Sequence, residues 1–420
     1  MNVLWFEVTE PCGYNQKNSF VCGWQDSLER ILSKQKDIKL SIAFESSTSS
    51  LPRTKGNINY IPLCIHKNLL RMIKSEFSWM YNSKELISKM KDVIKSVKPD
   101  IIHVFGTEWP FGLITKHTSI PVVIHIQGSI TEINKYIYPK NYSFWGEAIA
   151  CFPSIRQMIE TVLKPIKNTS RLLMEKKIWE TNNNYMGRTQ WDKDLSLAMH
   201  PNRNYFHVDE ALREIFVEQS SQWQFKKRER ITLITNGGAP FWKGPNILLR
   251  TAKLLKHNGI KFVWLVIGEM PNHLKIFIEK KERTSFEENY VHFLGWQEAK
   301  QIQEKLIDAT LYIHCSYIDN SPNAICEAQC VGIPIISTNV GGISSLIENE
   351  KTGFLVPPNR PKELADRIIS LKNNEELLKK VSHASIITAQ KRHNPQNIAK
   401  QLLNCYNNIL STSQKNNIYT

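Results

Sequence analysis

The segment LYIHCSYIDNSPNAICEAQCVGIPIISTNVGGISSLIENEKTGFLVPP, residues 311–358, determines how the rest of the chain is interpreted. A short apolar strand leads through a polar loop into a helix, and a second apolar strand then ends in Gly341-Gly342. Asp319 and Glu327 stand on either side of the point where the helix starts. A strand, a loop and a helix N-terminus in this order predict a pocket for phosphate and sugar hydroxyls.

The residues around the helix start suit a nucleotide ligand. Backbone N–H groups at Asn323, Ala324 and Ile325 are available at the helix N-terminus, where they favour a diphosphate. Glu327 lies one turn further in, and its carboxylate can accept hydrogen bonds from a vicinal diol such as a ribose. Asp319 precedes the helix and can reach a second polyol. Taken one at a time, these features also fit an ordinary capped helix and a tight turn.

Length and composition indicate a folded chain of several domains. At 420 residues it is long enough for two or three domains, and its longest apolar runs are far shorter than the roughly 20 residues of a membrane-spanning helix. The N-terminal MNVLWFEV predicts a buried strand rather than a signal peptide. Eight scattered cysteines without a CxxC pair predict reduced thiols in a cytoplasmic protein.

The formal charge of +15 predicts an anionic partner: a nucleic acid, a membrane surface or a phosphorylated substrate. The excess is densest in residues 51–100, with ten Lys and Arg against four Asp and Glu. No recognition motif appears, and aromatic side chains are not interleaved with the basic ones as in a stacking platform. We therefore expect no nucleic acid partner.

Short β-rich runs alternate with helical patterns along the chain, which predicts parallel sheets with crossover helices. The fold class is α/β, with two Rossmann-like doubly wound domains facing each other across a cleft. We assign residues 1–225 to an N-terminal acceptor-side domain, 226–395 to a C-terminal donor domain and 396–420 to a helix that crosses back to the first domain. Within 153–180 an apolar stripe recurs at helical spacing, and it fits either a core face or a membrane-docking face.

Together these motifs resemble the retaining nucleotide-sugar glycosyltransferases of family 4, which have the GT-B fold. The family signature, two acids separated by seven residues, stands here as Asp319-x7-Glu327 and continues into NVGG and TGFLVPP. The resemblance implies that Glu327 binds the nucleotide ribose and that Asp319 contacts the donor sugar. Asp319 is one methylene shorter than the usual Glu.

The family also places an Arg and a Lys on the diphosphate. The resemblance assigns the Lys to Lys243, whereas Gly238 occupies the Arg position. Arg188 is a candidate for the missing cation. It belongs to GRTQWD (187–192), part of a segment that resembles a subgroup involved in bacterial surface polysaccharide synthesis. A structural corner held by a buried Arg188–Asp192 pair is the alternative.

Three further positions follow from the resemblance in the N-terminal half. Gly23 would approach the diphosphate from across the cleft, and Glu108 is a candidate for activating the acceptor hydroxyl. Gln127 stands where many members carry a His that points at the donor sugar. His125, two residues earlier, fits a core position in a buried strand.

The predicted function is transfer of a sugar, with retention of anomeric configuration, from a UDP- or GDP-sugar to a hydroxyl of a growing or lipid-linked glycan. Asp319, Glu327 and Lys243 are the expected catalytic residues. We expect no cofactor and no metal, and peripheral contact with the anionic inner face of the plasma membrane. Another GT-B enzyme, such as a nucleotide-sugar epimerase or a phosphorylase, and a non-enzymatic nucleic-acid-binding protein are the alternatives.

Overall fold

The computed structural model describes residues 1–14, 23–46, 50–65, 83–218 and 221–418, with side chains up to residue 413. The chain divides into two compact units. The first unit comprises Met1–Glu132, Leu163–Ala211 and His393–Thr420, and the second comprises Ile133–Val162 and Leu212–Arg392.

The first unit is built on an eight-stranded sheet in the order β3-β4-β2-β1-β5-β6-β7-β8. All its pairings are parallel except β3 with β4. The strands are β1 (Asn2–Glu7), β2 (Lys39–Ser46), β3 (Arg53–Lys55), β4 (Ile58–Cys64), β5 (Ile101–Phe105), β6 (Val122–His125), β7 (Asn184–Gly187) and β8 (Asn204–His207). The runs Val3–Phe6 and 101–105 are buried, as expected for central parallel strands covered on both faces.

The second unit contains a six-stranded parallel sheet in the order β11-β10-β9-β12-β13-β14. Its strands are β9 (Ile231–Asn236), β10 (Phe262–Ile267), β11 (Val291–Phe293), β12 (Leu311–His314), β13 (Ile335–Thr338) and β14 (Phe354–Val356). Numbered within this unit, the order is the 3-2-1-4-5-6 of a dinucleotide-binding fold. The predicted α/β class with two doubly wound sheets is therefore confirmed.

Fourteen α-helices accompany the sheets in the described residues. They are α1 (Trp24–Ser33), α2 (Ser83–Val97), α3 (Ile130–Asn134), α4 (Phe144–Ala150), α5 (Ile155–Thr181), α6 (Gln190–Met199), α7 (Glu214–Val217), α8 (Pro245–His257), α9 (Asn272–Glu282), α10 (Ala299–Asp308), α11 (Asn323–Val331), α12 (Pro361–Leu371), α13 (Glu375–Arg392) and α14 (Pro395–Ile418). Short 3-10 segments cover Pro110–His117, Phe241–Lys243, Glu287–Asn289 and Ile343–Ser345.

Local sequence explains where several helices begin and end. Helix α8 has proline at its first position, and α11 ends at Gly332, whose φ of +83° suits a residue without a side chain. Helix α6 begins with a capping box in which the Thr189 side chain accepts from the Asp192 N–H. The predicted alternation of strands and helices is confirmed, for example throughout residues 231–391.

The division of the chain differs from the predicted ranges at two places. The chain passes from the first unit into the second between Ala211 and Leu212, whereas the predicted boundary lies between residues 225 and 226. Residues 133–162 pack with the second unit, because α4 rests on α9: a Cβ on Gly146 would lie 2.5 Å from the Phe277 ring. Helix α14 belongs to the first unit, where the Tyr406 hydroxyl and the His103 Nδ1 form a hydrogen bond of 2.7 Å.

Two further observations concern the composition-based predictions. Cys12 takes part in a disulfide bond, so the prediction that all cysteines are reduced is wrong at this position. Free thiols are described at Cys64, Cys151, Cys315, Cys326, Cys330 and Cys405. Among the residues that the structure describes, none of the helices combines the length and the hydropathy that a membrane span requires.

Candidate active site

The carboxyl ends of β9 and β12 are the point at which the strand order of the second sheet reverses, and ligands bind at such points in open α/β sheets. Two of the predicted residues are brought together there. Lys243 follows β9 and Asp319 follows β12, and the Lys243 Nζ lies 2.7 Å from the Asp319 Oδ2. The sequence separates these residues by 76 positions, so the contact is a product of the sheet topology.

Asp319 is the centre of a small polar cluster. His314 Nε2 lies 3.0 Å from its Oδ2, and the Ser316 hydroxyl donates to the same oxygen at 3.3 Å. Burial by itself would raise the pKa of the Asp319 carboxyl, but Lys243 and His314 together hold that pKa well below its usual range. Asp319 is therefore a carboxylate at every physiological pH.

Two glycines fix the loops that carry these side chains. Gly341 has a φ of +53°, and a Cβ on it would lie 1.9 Å from the Asp319 carbonyl oxygen, which accepts from the Gly342 N–H at 3.0 Å. A Cβ on Gly244 would likewise lie 1.9 Å from the Cys315 carbonyl oxygen. The space beside Gly341 is therefore filled by the Asp319 backbone, and the predicted approach of a ligand to Gly341-Gly342 stays a prediction.

Glu327 is buried in α11 and carries a partner that the sequence did not reveal. The Arg213 guanidinium donates to both carboxylate oxygens, at 2.8 and 2.7 Å. Burial raises the pKa of Glu327, and the hydrogen bonds and charge of Arg213 offset only part of that effect. A carboxylate has about four lone-pair sites, so this bidentate pair leaves Glu327 able to accept two further hydrogen bonds.

The N-terminal turn of α11 is partly engaged by the protein itself. The Ile325 N–H donates to the Pro322 carbonyl at 2.9 Å, so it is already used by the helix. The Asn323 Oδ1 is buried and has no hydrogen-bond partner among the described residues. The Asn323 Oδ1 is an acceptor that a hydroxyl or an N–H group could satisfy, whereas a phosphate oxygen could not.

Packing explains why the family's diphosphate Arg is replaced by Gly238. A Cβ at this position would lie 2.8 Å from the Val266 Cγ1 and 3.0 Å from the Phe293 ring. These neighbours are held by β10 and β11, so the site has no room for a longer side chain. Gly238 therefore supplies no cation at the position where the family carries its Arg.

In the first unit, three predicted residues follow three neighbouring strands. Glu108 follows β5, Gln127 follows β6 and Arg188 follows β7, so they share one edge of the sheet. The Arg188 guanidinium donates to the Gln127 carbonyl oxygen at 3.3 Å. It is the Gln127 backbone that makes this contact.

Glu108 is the titratable group to note at this edge. Its Oε2 is buried without a hydrogen-bond partner among the described residues. Burial raises the pKa of Glu108 to about 7, with Glu175 acting in the same direction and Arg171 and Arg188 opposing it. A carboxyl with this pKa near neutral pH can hold or release a proton, as a general base must.

Gly23 reaches the same edge through its neighbour Trp24. The Arg188 guanidinium lies over the Trp24 ring at 4.8 Å, and the His125 ring packs against Trp24 at 4.9 Å. The Gly23 N–H donates to Asp26 at 2.8 Å as part of the α1 capping box. His125 is fully buried, which agrees with its interpretation as a core residue.

The structure is compatible with the alternative explanation of GRTQWD: Arg188 and Asp192 are both buried, and the Arg188 charge opposes the rise that burial causes in the pKa of Asp192. Asp192 Oδ2 accepts the backbone N–H groups of Arg188 and Thr189 at 2.8 and 2.9 Å. These contacts cap α6. The Arg188 guanidinium also contacts the Gln127 carbonyl oxygen and the Trp24 ring.

Several residues at the sheet edges of the two units were not predicted from the sequence. Glu175 in α5 accepts from Thr107 at 2.9 Å and from the Ile130 and Thr131 N–H groups at 2.9 and 2.8 Å, and it thereby joins the loops after β5 and β6. His314 ends β12, and the rule that strand-terminal polar residues line a ligand edge could have identified it. Arg213 and Glu175 carried no such signal.

Comparison with known proteins agrees with this architecture. Residues 217–387 match the model of the family described as "Glycosyl transferases group 1". The predicted resemblance to glycosyltransferases is thereby confirmed, and it rests on the part of the second unit that matches this family.

A curated relative is the putative colanic acid biosynthesis glycosyltransferase WcaL of Escherichia coli K12, which is 31% identical over 134 residues. That alignment covers 30% of this chain and 32% of the relative. The first three curated relatives are matched over 32% to 44% of their length.

Solved structures match almost the whole chain. Sucrose-phosphate synthase from Thermosynechococcus elongatus has a TM-score of 0.70 at 13% identity, with 98% of this chain and 100% of that chain covered. Anabaena Alr3699/HepE in complex with UDP has a TM-score of 0.63 at 14% identity, with 96% and 99% covered. At these identities the likeness shows the fold, which is GT-B.

Proposed function

We propose that this protein is a retaining glycosyltransferase that moves a sugar from a nucleoside-diphosphate donor to a hydroxyl of a growing polysaccharide. The contact between Lys243 and Asp319 supports the proposal most directly. It lies beside the N-terminus of α11 at the switch point of a domain that matches the group 1 glycosyltransferases. The named function of relatives such as WcaL supports a bacterial surface polysaccharide as the product.

In the proposed reaction the bond between the anomeric carbon and the β-phosphate oxygen breaks, and a bond from the same carbon to the acceptor oxygen forms. The acceptor proton passes to the departing diphosphate. Stabilising the negative charge on that leaving group lowers the barrier. Lys243 and the N–H groups of Asn323 and Ala324 at the N-terminus of α11 are the groups that we assign to this role.

The two acids have separate tasks in the proposal. Glu327 uses the lone pairs that Arg213 leaves open to accept the two ribose hydroxyls. Asp319 uses Oδ2 to hold Lys243 and His314, and Oδ1 is the oxygen that we expect to meet a sugar hydroxyl. Holding Lys243 in place is a positioning role that a longer Glu would perform with a different geometry.

The acceptor belongs to the first unit in this proposal. Glu108 supplies a carboxyl whose pKa is about 7. Arg188 supplies a guanidinium that is held by the Gln127 carbonyl oxygen. We propose a glycan or lipid-linked glycan acceptor, a metal-independent reaction, and a site of action at the cytoplasmic face of the plasma membrane. If the reaction is metal-independent, EDTA will leave the transfer rate unchanged. Loss of activity with EDTA and its return with Mn²⁺ would exclude that part of the proposal.

The first experiment is a thermal-shift and calorimetric screen of UDP, GDP and their sugars. UDP is the first candidate because Alr3699/HepE is solved with it. With the nucleotide that binds, Glu327→Gln should raise Kd about tenfold, because a hydrogen bond to a charged group contributes about 1.5–3 kcal/mol. Glu348→Gln, an exposed acid of the same unit, is the control and should bind as the wild type does.

The binding screen, together with an assay for nucleoside diphosphate released with and without an acceptor, separates the candidate functions. Free nucleoside diphosphate that appears only after an acceptor is added supports transfer and excludes an epimerase. Unchanged affinity in a folded Glu327→Gln variant would contradict the ribose assignment. Binding of RNA without any nucleotide-sugar binding would overturn the proposed function as a whole.

A further inference from the structure

Helix α4, the turn after it and the first two turns of α5 expose an unusual number of large hydrophobic side chains. Fourteen such side chains are exposed in the described part of the chain, and six of them fall between residues 145 and 162. Single exposed apolar residues are common on protein surfaces, whereas a concentrated group marks an interaction site. We name this group the apolar face, and its members are Trp145, Ile149, Phe152, Ile155, Ile159 and Val162.

The spacing of these residues places them on outward surfaces. Ile155, Ile159 and Val162 stand at i, i+4 and i+7 of α5, which is one face of a helix. Trp145 and Ile149 stand at i and i+4 of α4, and Phe152, 75% exposed, follows in the turn between the helices. The pattern that marks a buried face in a globular helix is here turned to solvent.

The exposure does not reflect loose attachment of α4. On its inner face, Glu147 accepts from the Tyr138 hydroxyl at 2.6 Å and lies 3.2 Å from His273 Nε2. Gly146 rests against Phe277 of α9 so closely that a Cβ would lie 2.5 Å from the ring. The helix is therefore anchored with its apolar residues pointing outwards.

The charge around the apolar face favours one class of partner. Residues 133–167 contain five Lys and Arg against two acids, a net charge of +3. One acid, Glu147, is buried, and the other, Glu160, pairs with Arg156 at 2.8 Å. A second copy of the chain would bring these cations against one another, whereas an anionic lipid surface would complement them.

We propose that the apolar face inserts into the interfacial region of an anionic lipid bilayer. Aromatic and aliphatic side chains on one face of a helix, flanked by basic residues, are the features of helices that lie in the plane of a membrane. Burial of the apolar side chains supplies the binding energy, and the surrounding cations select anionic lipid. The proposal rests on the membrane location in the proposed function and names the surface that makes the contact, and its vesicle test does not require sugar transfer.

The test is flotation of the full chain with vesicles of phosphatidylcholine alone and of phosphatidylcholine mixed with phosphatidylglycerol. The variant Trp145→Ser/Phe152→Ser/Ile159→Ser should lower vesicle affinity at least about tenfold, because membrane binding scales with the apolar area buried. The matched control carries three exposed apolar residues elsewhere, Leu197→Ser/Ile276→Ser/Ile387→Ser, and should bind as the wild type does.

Salt separates insertion from purely electrostatic attachment. At about 1 M salt the screening length is about 3 Å, so binding through surface charge alone should disappear while insertion persists in part. Wild-type protein that detaches completely at this salt concentration, or a triple variant that floats as well as the wild type, would overturn the proposal. So would a wild-type dimer that the triple variant converts to a monomer while neither protein floats.

Donor binding is the independent measurement in each sample. An unchanged thermal shift with nucleotide in the triple variant shows that its fold and donor site are intact. If the triple variant does not fold, the single variant Phe152→Ser, in the exposed turn, carries the test with a smaller expected loss. Absence of nucleotide binding in the wild type would count against the proposed function and leave the vesicle result to be judged by itself.

Discussion

At the scale of the residue, the candidate donor site depends on which partners its two acids have. Asp319 is held by Lys243 and His314, and Glu327 by Arg213. Both carboxylates are largely buried, and each therefore needs a cation close by. The positions of the acids were predicted from the sequence. The cation Arg213 was not, because 114 residues separate it from Glu327.

Replacement of Asp319 by Asn should show how much this cluster contributes to stability. The amide leaves the Lys243 ammonium without its charged partner, so we expect the free energy of unfolding to fall by about 2 kcal/mol. Asp308→Asn is the matched control, since Asp308 also pairs with two cations but its side chain is 62% exposed. It should lose less than about 1 kcal/mol. Equal losses in urea unfolding would show that the Asp319 cluster is no stronger than a surface pair.

At the scale of the element, two glycines bring the loops after β9, β12 and β13 together. Gly244 meets the Cys315 backbone, and Gly341 meets the Asp319 backbone. Strand order places the three loops at one edge, but it does not fix the atoms within them. The close contacts do so, because no side chain fits between the backbones.

Gly341→Ala should be much more harmful than an alanine at another glycine with positive φ. Gly259 also has a positive φ, +68°, and a Cβ there meets nothing within 4 Å. Gly259→Ala therefore measures the conformational cost alone, about 1 kcal/mol. Gly341→Ala adds a clash with the Asp319 carbonyl, so we expect a loss of at least about 3 kcal/mol and weaker nucleotide binding. Similar unfolding curves for the two variants would contradict this account of the loop.

Helix α5 shows what periodicity leaves undecided. Its apolar stripe was predicted from spacing, and both a core face and a membrane-docking face were compatible with that spacing. Ile155, Ile159 and Val162 in its first two turns are exposed, whereas Thr161 is buried. A periodic pattern identifies the face of a helix, but what covers that face depends on the elements that pack against it.

At the scale of the whole molecule, the same topological rule operates in both units. In the first sheet β1 lies between β2 and β5, and in the second sheet β9 lies between β10 and β12. The strand order therefore reverses beside the first strand of each sheet. Polar loops follow the carboxyl ends at both reversal points, and they carry Lys243 and Asp319 in one unit and Glu108 in the other. The overall stability of the chain should therefore respond to pH through these buried carboxyls.

The raised pKa of Glu108 determines the direction in which the free energy of unfolding changes with pH. Its pKa is about 7 in the folded chain and about 4.3 in the unfolded chain, so the folded state holds the proton more tightly. The stability that Glu108 contributes is present below about pH 4.3 and is lost as the pH rises through about 7. Asp319 acts in the opposite direction and only in acid, because its folded pKa lies below its unfolded value.

The difference between wild type and Glu108→Gln isolates the effect of Glu108. Relative to the variant, the wild type should lose about 2 kcal/mol of unfolding free energy between pH 5 and pH 8, on the order expected for a shift of this size. Glu348→Gln, which removes an exposed acid, should show no such trend. A constant difference between wild type and Glu108→Gln across the range would mean that Glu108 is already ionised at pH 5.

The sequence by itself determined the alternation of strands and helices, the position of the Asp319-x7-Glu327 motif and the place of Lys243 after a strand. These features depend on local periodicity, on glycine and proline, and on short spacings, which a chain fixes within a few residues. Only the tertiary structure decided that Asp319 meets Lys243 and His314, that Glu327 meets Arg213, and that the apolar face is exposed. Those outcomes depend on contacts between residues far apart in the chain, and the order of the strands sets which of them come together.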